Sequence, residues 1–436
     1  MHAASQHVRV PRRRGPDGKH PAVAARLREQ VISGKFKPGS RLPVVSALQA
    51  EFGTTKVTVL KAIGTLAEHG YLRTEERSGV FVADHPPHVA RFAIAFPWGV
   101  QHPPSRFFQS IQAEAAKCQA PDRNISMFHD IQYASDSGED SRRLRELVSN
   151  HRLAGLIFAH DPYRLGKSVI TQEPGIPRVA IAVKHDGLDM PTVYPDLDGF
   201  MNRGLERLAA RGRRRVGMIK LKRTNDIDIE IGDFERQCAV YGLETRPEWV
   251  HGFSLENAVW SKTVAQLLLR GEPTDRPDGL LIADDNFIEA VTSGVAASGV
   301  RVPEELDIVA LTNFPYPVPS AVPVDRLGFD IRRLVTVCMD IIAQERGGGT
   351  TPRHTAIPAL FEEETSQPPG APGENGLVTG VHEAGRLIGL VGDPPGLVPV
   401  VKEVERGRVQ PRLNVGLPRH KAGGRQRSYD QDLERT

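Results

Sequence analysis

The chain has 436 residues, with 56 Lys and Arg against 53 Asp and Glu and 39% hydrophobic residues. That length exceeds what one core supports, so two or more domains are expected. It contains no run of about 18 apolar residues, which argues against a helical membrane span. Cys118, Cys238 and Cys338 form no CxxC pair, so neither a zinc site nor a disulfide framework is indicated.

The overall charge of +3 hides an asymmetry. Residues 1–86 hold 14 Lys and Arg against 7 Asp and Glu, and the remainder of the chain is mildly acidic. A small basic module on an acidic body suits a module that touches a polyanion. The first 20 residues are polar and basic, with Pro11, Gly15, Pro16 and Gly18, and read as a disordered arm. No apolar segment follows them, so no secretory signal is read and the expected location is the cytoplasm.

Residues 21–83 carry three helical patterns and a hairpin. Pro21 opens the first, Val23, Leu27 and Val31 recur at spacings of four, and Gly34 stops it. Pro38-Gly39 marks a turn, and a short second helix over 44–51 ends at Gly53. The third runs from Thr54 to His69. Val59, Ile63 and Leu66 line one side of it, while Thr54, Thr58, Lys61 and Thr65 line the other. A thin face of hydroxyls and lysine suits the DNA major groove. Tyr71–Arg73 and Val80–Val82 then read as two strands with Glu75 to Gly79 at their tip. The expected domain is a winged helix-turn-helix.

These residues resemble the DNA-binding domain of GntR-type transcription regulators. The carrying set is Ile32, Phe36, Pro38-Gly39, Arg41-Leu42-Pro43, Phe52-Gly53, Thr58-Val59, Ala62-Ile63, Leu66, Gly70-Tyr71-Leu72, Gly79 and Phe81-Val82. The resemblance implies Arg41, Thr55, Lys56, Thr58 and Lys61 as the DNA-facing set, and Arg77, a departure from the family at the wing tip, joins them as a candidate to reach a phosphate or the minor groove. This chain has Ser46 and Leu60 where the family usually has arginine, Lys56 where it has another, and Arg77 where the wing tip often has glycine. Lysine makes no bidentate fork, so the operator sequence does not carry over from relatives. Within residues 84–90, read as a linker, His85 and His88 lack further ligands to make a metal site.

From 91 to 366, short apolar runs alternate with helical patterns. Strands are expected at Phe92–Phe96, Ile125–His129, Gly155–Ala159, Arg178–Val183, Val216–Lys220, Gly279–Ala283 and Asp307–Leu311. Helices are expected over 105–118, 140–150, 198–211, 258–269, 286–298 and 327–345. Such alternation predicts an α/β fold of two lobes with parallel sheets around a cleft. Ligands bind beyond the carboxyl ends of such strands.

Residues 193–219 and 277–311 resemble the effector-binding domain of LacI/GalR-type repressors, itself similar to periplasmic sugar-binding proteins. The resemblance implies a sugar-like small-molecule effector and a homodimer formed through this domain. Asp285 and Asp196 match family positions. Phe107 and Phe108 follow the first strand, where the family often places a stacking aromatic. Asp161, Lys184 and Asn313 follow later strands and complete the candidate set. The family's ligand-gripping arginine would fall near Glu230, with Arg223 or Arg236 as possible substitutes.

Residues 367–436 contain 20 Pro and Gly and read as a disordered extension. The expected function is therefore an effector-controlled DNA-binding regulator, a repressor by its resemblance. A GntR module fused to an aminotransferase-like enzyme is the alternative. The only lysines beyond residue 262 are Lys402 and Lys421, both in the tail, and no GxSxG, Walker, HExxH or GxGxxG motif stands at a strand–helix junction. No enzyme activity and no cofactor are expected.

Overall fold

A computed structural model describes residues 19–99, 105–133, 137–182, 189–222 and 227–365. Residues 1–18 of the basic arm, Lys184, Arg223 and the Pro/Gly-rich tail lie outside the described residues, and His20, read as part of that arm, opens the first helix.

The chain opens with three helices, α1 (His20–Ile32), α2 (Val45–Phe52) and α3 (Lys56–Glu68), and a hairpin of β1 (Leu72–Glu75) and β2 (Gly79–Val82). Gly53 ends α2 at φ 58°, a left-handed conformation that glycine adopts without strain. Two residues later Thr55 caps α3, its hydroxyl accepting from the Thr58 N–H at 3.3 Å. The tight joint between the two helices follows from that pair. Leu27, Leu48, Val59 and Leu66 are fully buried in one core. Burying each such side chain contributes about 1.5–3 kcal/mol. The Pro-Gly turn is tied to the wing. The Gly39 and Leu42 N–H groups donate to the Val82 and Val80 carbonyls, and the Val82 N–H donates to the Ser40 carbonyl. This is a winged helix-turn-helix.

A single turn, α4 (Pro87–Ala90), leads into the first lobe. Its elements are β3 (Arg91–Ala95), α5 (Arg106–Lys117), β4 (Asn124–Phe128), α6 (Glu139–Ser149), β5 (Gly155–Phe158), the short α7 (Val169–Gln172), β6 (Arg178–Ile181) and β7 (Thr192–Pro195). The second lobe follows with α8 (Leu197–Ala210), β8 (Val216–Leu221), α9 (Ile227–Val240), β9 (Val250–Phe253), α10 (Trp260–Leu268), β10 (Gly279–Ile282), α11 (Ile288–Ser298), β11 (Asp307–Phe314) and β12 (Asp325–Asp330). The chain then returns to the first lobe through α12 (Ile331–Arg346) and β13 (His354–Ile357). It ends in the second with β14 (Leu360–Phe361) and α13 (Glu362–Thr365).

Lobe 1 is a six-stranded sheet in the order β13-β7-β6-β5-β3-β4, and lobe 2 one in the order β14-β12-β11-β10-β8-β9. Every pair is parallel except β12 with β14. Strands such as Gly155–Phe158 and Gly279–Ile282 are buried throughout their length, as parallel strands covered on both faces must be.

The seven anticipated strands are all present, with bounds shifted by a few residues. Residues 327–330, read as the start of a helix, are instead the end of β12. There Gly328 lies so close to β11 that a Cβ would meet the Thr312 carbonyl oxygen at 1.7 Å. The helix begins only at Ile331, where Asp330 caps it by accepting from the Arg333 N–H at 3.1 Å.

The chain crosses between the lobes three times: after β7, after β12 and after β13. Aspartates mark the first two crossings. Asp196 caps α8 by accepting from the Gly199 N–H at 2.9 Å, and its own N–H donates to the Ile357 carbonyl on the third crossing strand.

Candidate nucleic-acid interface and effector cleft

The outward side of α3 differs from the stripe read in the sequence. Lys56, Val57, Leu60, Lys61 and Gly64 are exposed, whereas Thr54, Thr58 and Thr65 are half-buried. The threonine hydroxyls are engaged locally: Thr55 and Thr58 share a hydrogen bond of 3.0 Å, and Thr65 donates to the Lys61 carbonyl at 3.1 Å. Lys56 and Lys61 have no ion-pair partner among the described residues. A 13-residue helix turned by its core contacts therefore presents two lysines beside two large apolar side chains.

Two more cations stand at the wing. Arg77 occupies its tip at φ 62°, and the Ser78 N–H donates to the Glu75 carbonyl to close the turn. Arg41 pairs with Phe81 across the edge of β2, and its guanidinium lies against Gly79, where a Cβ would meet Nε at 3.0 Å. Arg41 is thus held at the wing by the Pro-Gly turn, an arrangement its distance in sequence gave no sign of.

In the second lobe, Asp285 and Asn313 come together at the carboxyl ends of β10 and β11. Asn313 Nδ2 donates to Asp285 Oδ2 at 2.7 Å, and both residues are only 2% exposed. The Asn313 Oδ1 atom is buried with no hydrogen-bond partner. Burial, reinforced by the neighbouring Asp284 carboxylate, pushes the Asp285 carboxyl up to about 8 and outweighs the opposing Asn313 hydrogen bond and Arg106 charge. An uncharged acid beside an orphaned amide oxygen offers both a donor and an acceptor to a polar ligand.

The lobes touch nearby. The Arg106 N–H donates to Asn286 Oδ1 at 3.1 Å, and its guanidinium pairs with Glu289 at 2.5 Å. The Tyr316 hydroxyl from lobe 2 donates to Glu114 of α5 at 2.8 Å, and Lys117 joins the same carboxylate at 2.9 Å. Burial of Glu114 opposes ionisation, but these two hydrogen bonds outweigh it and hold its carboxyl below the usual range.

The remaining candidates are placed differently. Phe107 and Phe108 are 8% and 7% exposed and belong to the core, with Phe108 edge-on to Phe96 and Trp98. They are not open stacking platforms, because the first turn of α5 points its apolar side into the lobe. Asp196 serves as the helix cap described above. Asp161 accepts from the Tyr163 N–H at 2.9 Å in the turn after β5. Arg236 is paired with Asp233 on the exposed side of α9. The side chain of Glu230, like Lys184 and Arg223, lies outside the described residues. Sequence reasoning missed Arg106, Glu114 and Tyr316. Their roles depend on contacts 180 or more residues apart in sequence, and no local pattern encodes such contacts.

Residues 20–82 match the model of bacterial regulatory proteins of the gntR family. The N-terminal domain is a gntR-family domain. Residues 205–365 match the periplasmic binding protein-like domain. The gntR-family domain is 45% identical over 62 residues to the mannosyl-D-glycerate transport/metabolism system repressor of Escherichia coli, a match covering 14% of this chain and 26% of that protein. The chain spans about a quarter of that relative's length. A longer match, 22% identical over 302 residues, covers 67% of this chain and 81% of the arabinose metabolism transcriptional repressor of Geobacillus stearothermophilus. Among solved structures, a LacI family regulator from Lactobacillus casei with bound glucose aligns at TM-score 0.48 and 15% identity, covering 63% of this chain and 98% of that one. The gntR-family domain is thus joined to a two-lobed α/β body. The aminotransferase-like alternative finds no support in that body or in these relatives. No helix among the described residues is long and apolar enough to cross a membrane.

Proposed function

We propose that this chain is a cytoplasmic transcription repressor that binds duplex DNA through α3 and the wing and is controlled by a sugar-like effector held between its lobes. The carrying observation is the outward face of α3, where Lys56 and Lys61 stand without ion-pair partners in a gntR-family domain. Arg41 and Arg77 extend the cationic surface to the wing, and Thr55 and Thr58 fix the helix start from which Lys56 projects. Phosphate contacts from such cations position the domain on the duplex.

On the effector side, Asp285 and Asn313 supply the polar contacts, with Asp161, Asp196 and Lys184 as further candidates. Phe107 and Phe108 shape the wall of lobe 1 from beneath. Binding acts by population shift. An effector that fits the closed pair of lobes better than the open pair moves that equilibrium, and a homodimer through this domain transmits the change to two DNA readers.

The test has two arms. Fragments of the source genome are screened for binding by fluorescence anisotropy between 50 and 200 mM salt. Lys56→Ala and Lys61→Ala should each weaken binding and reduce the slope of log K against log salt by about 1. An unchanged slope in both variants would remove these lysines from the phosphates. Thermal-shift screening against pentoses, hexoses and their phosphates should reveal the effector, since a ligand at 100 times its Kd stabilises by about 2.7 kcal/mol. Asp285→Ala should abolish that shift while DNA binding persists.

A further inference from the structure

Val57 and Leu60 stand one turn apart on the outward side of α3, 62% and 46% exposed. Neither position serves the helix core, which is filled by Val59, Ala62, Ile63 and Leu66. A β-branched residue here also lowers helix propensity slightly. A surface chosen for folding alone would favour long polar residues at both places. The pair is bracketed by Lys56 and Lys61, so the patch is apolar at its centre and cationic at its edges. A second copy of the same face would bring those lysines against each other, which opposes self-association through it. A polyanion carrying apolar groups along one edge is complementary.

In the DNA major groove, phosphates flank the base edges and thymine presents its C5-methyl group. The same face holds no Arg, Asn or Gln that could make a bidentate contact to guanine or adenine. Resting on the DNA-binding reading above, we propose that Val57 and Leu60 are specificity-determining residues that read thymine methyl groups. The preferred site would then have thymine at the base pairs facing them, chosen through apolar contact rather than hydrogen bonding.

The test uses the full chain. Binding sites are selected from a random duplex pool, and each thymine of the preferred site is replaced in turn by deoxyuridine, which lacks only the methyl. Two positions should each lose about fourfold in affinity, the worth of one buried methyl group. Leu60→Ala and Val57→Ala should each abolish the uracil sensitivity at one of those positions while leaving the others unchanged. Both side chains are exposed, so the fold should survive, which retained sensitivity at the other position would verify. A selected site indifferent to deyoxyuridine throughout, or sensitivities unaltered in both variants, would overturn the inference and leave the DNA-binding reading standing. Failure to enrich any duplex would overturn both.

Discussion

The Tyr71 hydroxyl donates to the His151 carbonyl at 2.6 Å, joining the gntR-family domain to lobe 1 across 80 residues of sequence. The Asn150 carbonyl lies 3.3 Å from the same hydroxyl, and Arg28 of α1 donates to the Asn150 side chain at 3.1 Å. Tyr71 sits just beyond the end of α3, with its ring fully buried in the small core. His88 stacks on that ring at a centroid distance of 5.6 Å, and Arg346 of α12 donates to the Val89 carbonyl at 2.9 Å. A cleft of about 1090 Å³, lined in part by Arg26, Arg28, His151 and Arg346, runs beside this seam. The segment that follows α6 is therefore in direct contact with Tyr71, just beyond the end of α3.

Tyr71→Phe removes those hydrogen bonds and keeps the ring. The expected loss is about 1 kcal/mol of stability, the usual net worth of such a bond. Hydrogen exchange should accelerate at residues 147–152 and 69–72 together, while the core of lobe 2 is unchanged. Faster exchange in the gntR-family domain alone would show that the hydroxyl does not join the two.

Acid should loosen the same seam. Burial, helped by the Arg346 charge, holds the His88 imidazole down to about 4. A histidine with a depressed folded value contributes stability that is present above the unfolded value near 6.5 and is lost as pH falls through the folded one. The thermal midpoint should decline from pH 6.5 towards 4, at a rate set by at most about 1.4 kcal/mol per pH unit from this group. His88→Phe keeps a stacking ring that does not titrate, and the decline should be shallower in that variant.

The Asp285 carboxyl works in the opposite direction. Its folded value is raised, so the unfolded chain releases the proton first and stability falls as pH rises from the ordinary carboxylate value towards the raised one. Asp285→Asn preserves an acceptor for the Asn313 amide and removes the titration. Its thermal midpoint should exceed the parent's by a margin that grows from pH 5 to pH 8, by up to about 1.4 kcal/mol per unit. A margin independent of pH would show that Asp285 is ionised in the folded protein.

Two glycines should respond in opposite ways to alanine. Gly64 sits within α3 with open space around it, so Gly64→Ala should stabilise by about 1 kcal/mol in urea unfolding. Gly328→Ala forces a methyl group onto the Thr312 backbone and should cost at least about 3 kcal/mol, read as lost soluble yield and a lowered midpoint.

The small domain was legible in the sequence because its signals are local: Pro38-Gly39, Gly53 and the Thr55 cap punctuate it within a few residues. The alternation of buried strands and amphipathic helices gave the α/β body for the same reason. Strands β7, β9, β12, β13 and β14 escaped because none reads as an unbroken apolar run. Thr192–Pro195 ends in proline, and Asp325–Asp330 is polar at both ends. The outward face of α3 was misjudged by about a quarter turn at 100° per residue, because Thr58 and Thr65 look like surface residues until the packing of α1 is known. Asp285 and Asn313 were each proposed from their place after a strand, but their hydrogen bond requires the β10–β11 register. The contacts of Arg106, Glu114 and Tyr316 exist only once the two lobes face each other.

The three crossings have a consequence for synthesis. Lobe 1 takes α12 and β13 from beyond lobe 2, and lobe 2 takes β14 from beyond them, so the first sheet cannot be completed until the ribosome has passed Ile357, nor the second until Phe361. The gntR-family domain needs nothing after Val82 for its own core. At roughly 5–20 residues per second, a nascent chain would carry a finished gntR-family domain for some tens of seconds before either lobe can close its sheet.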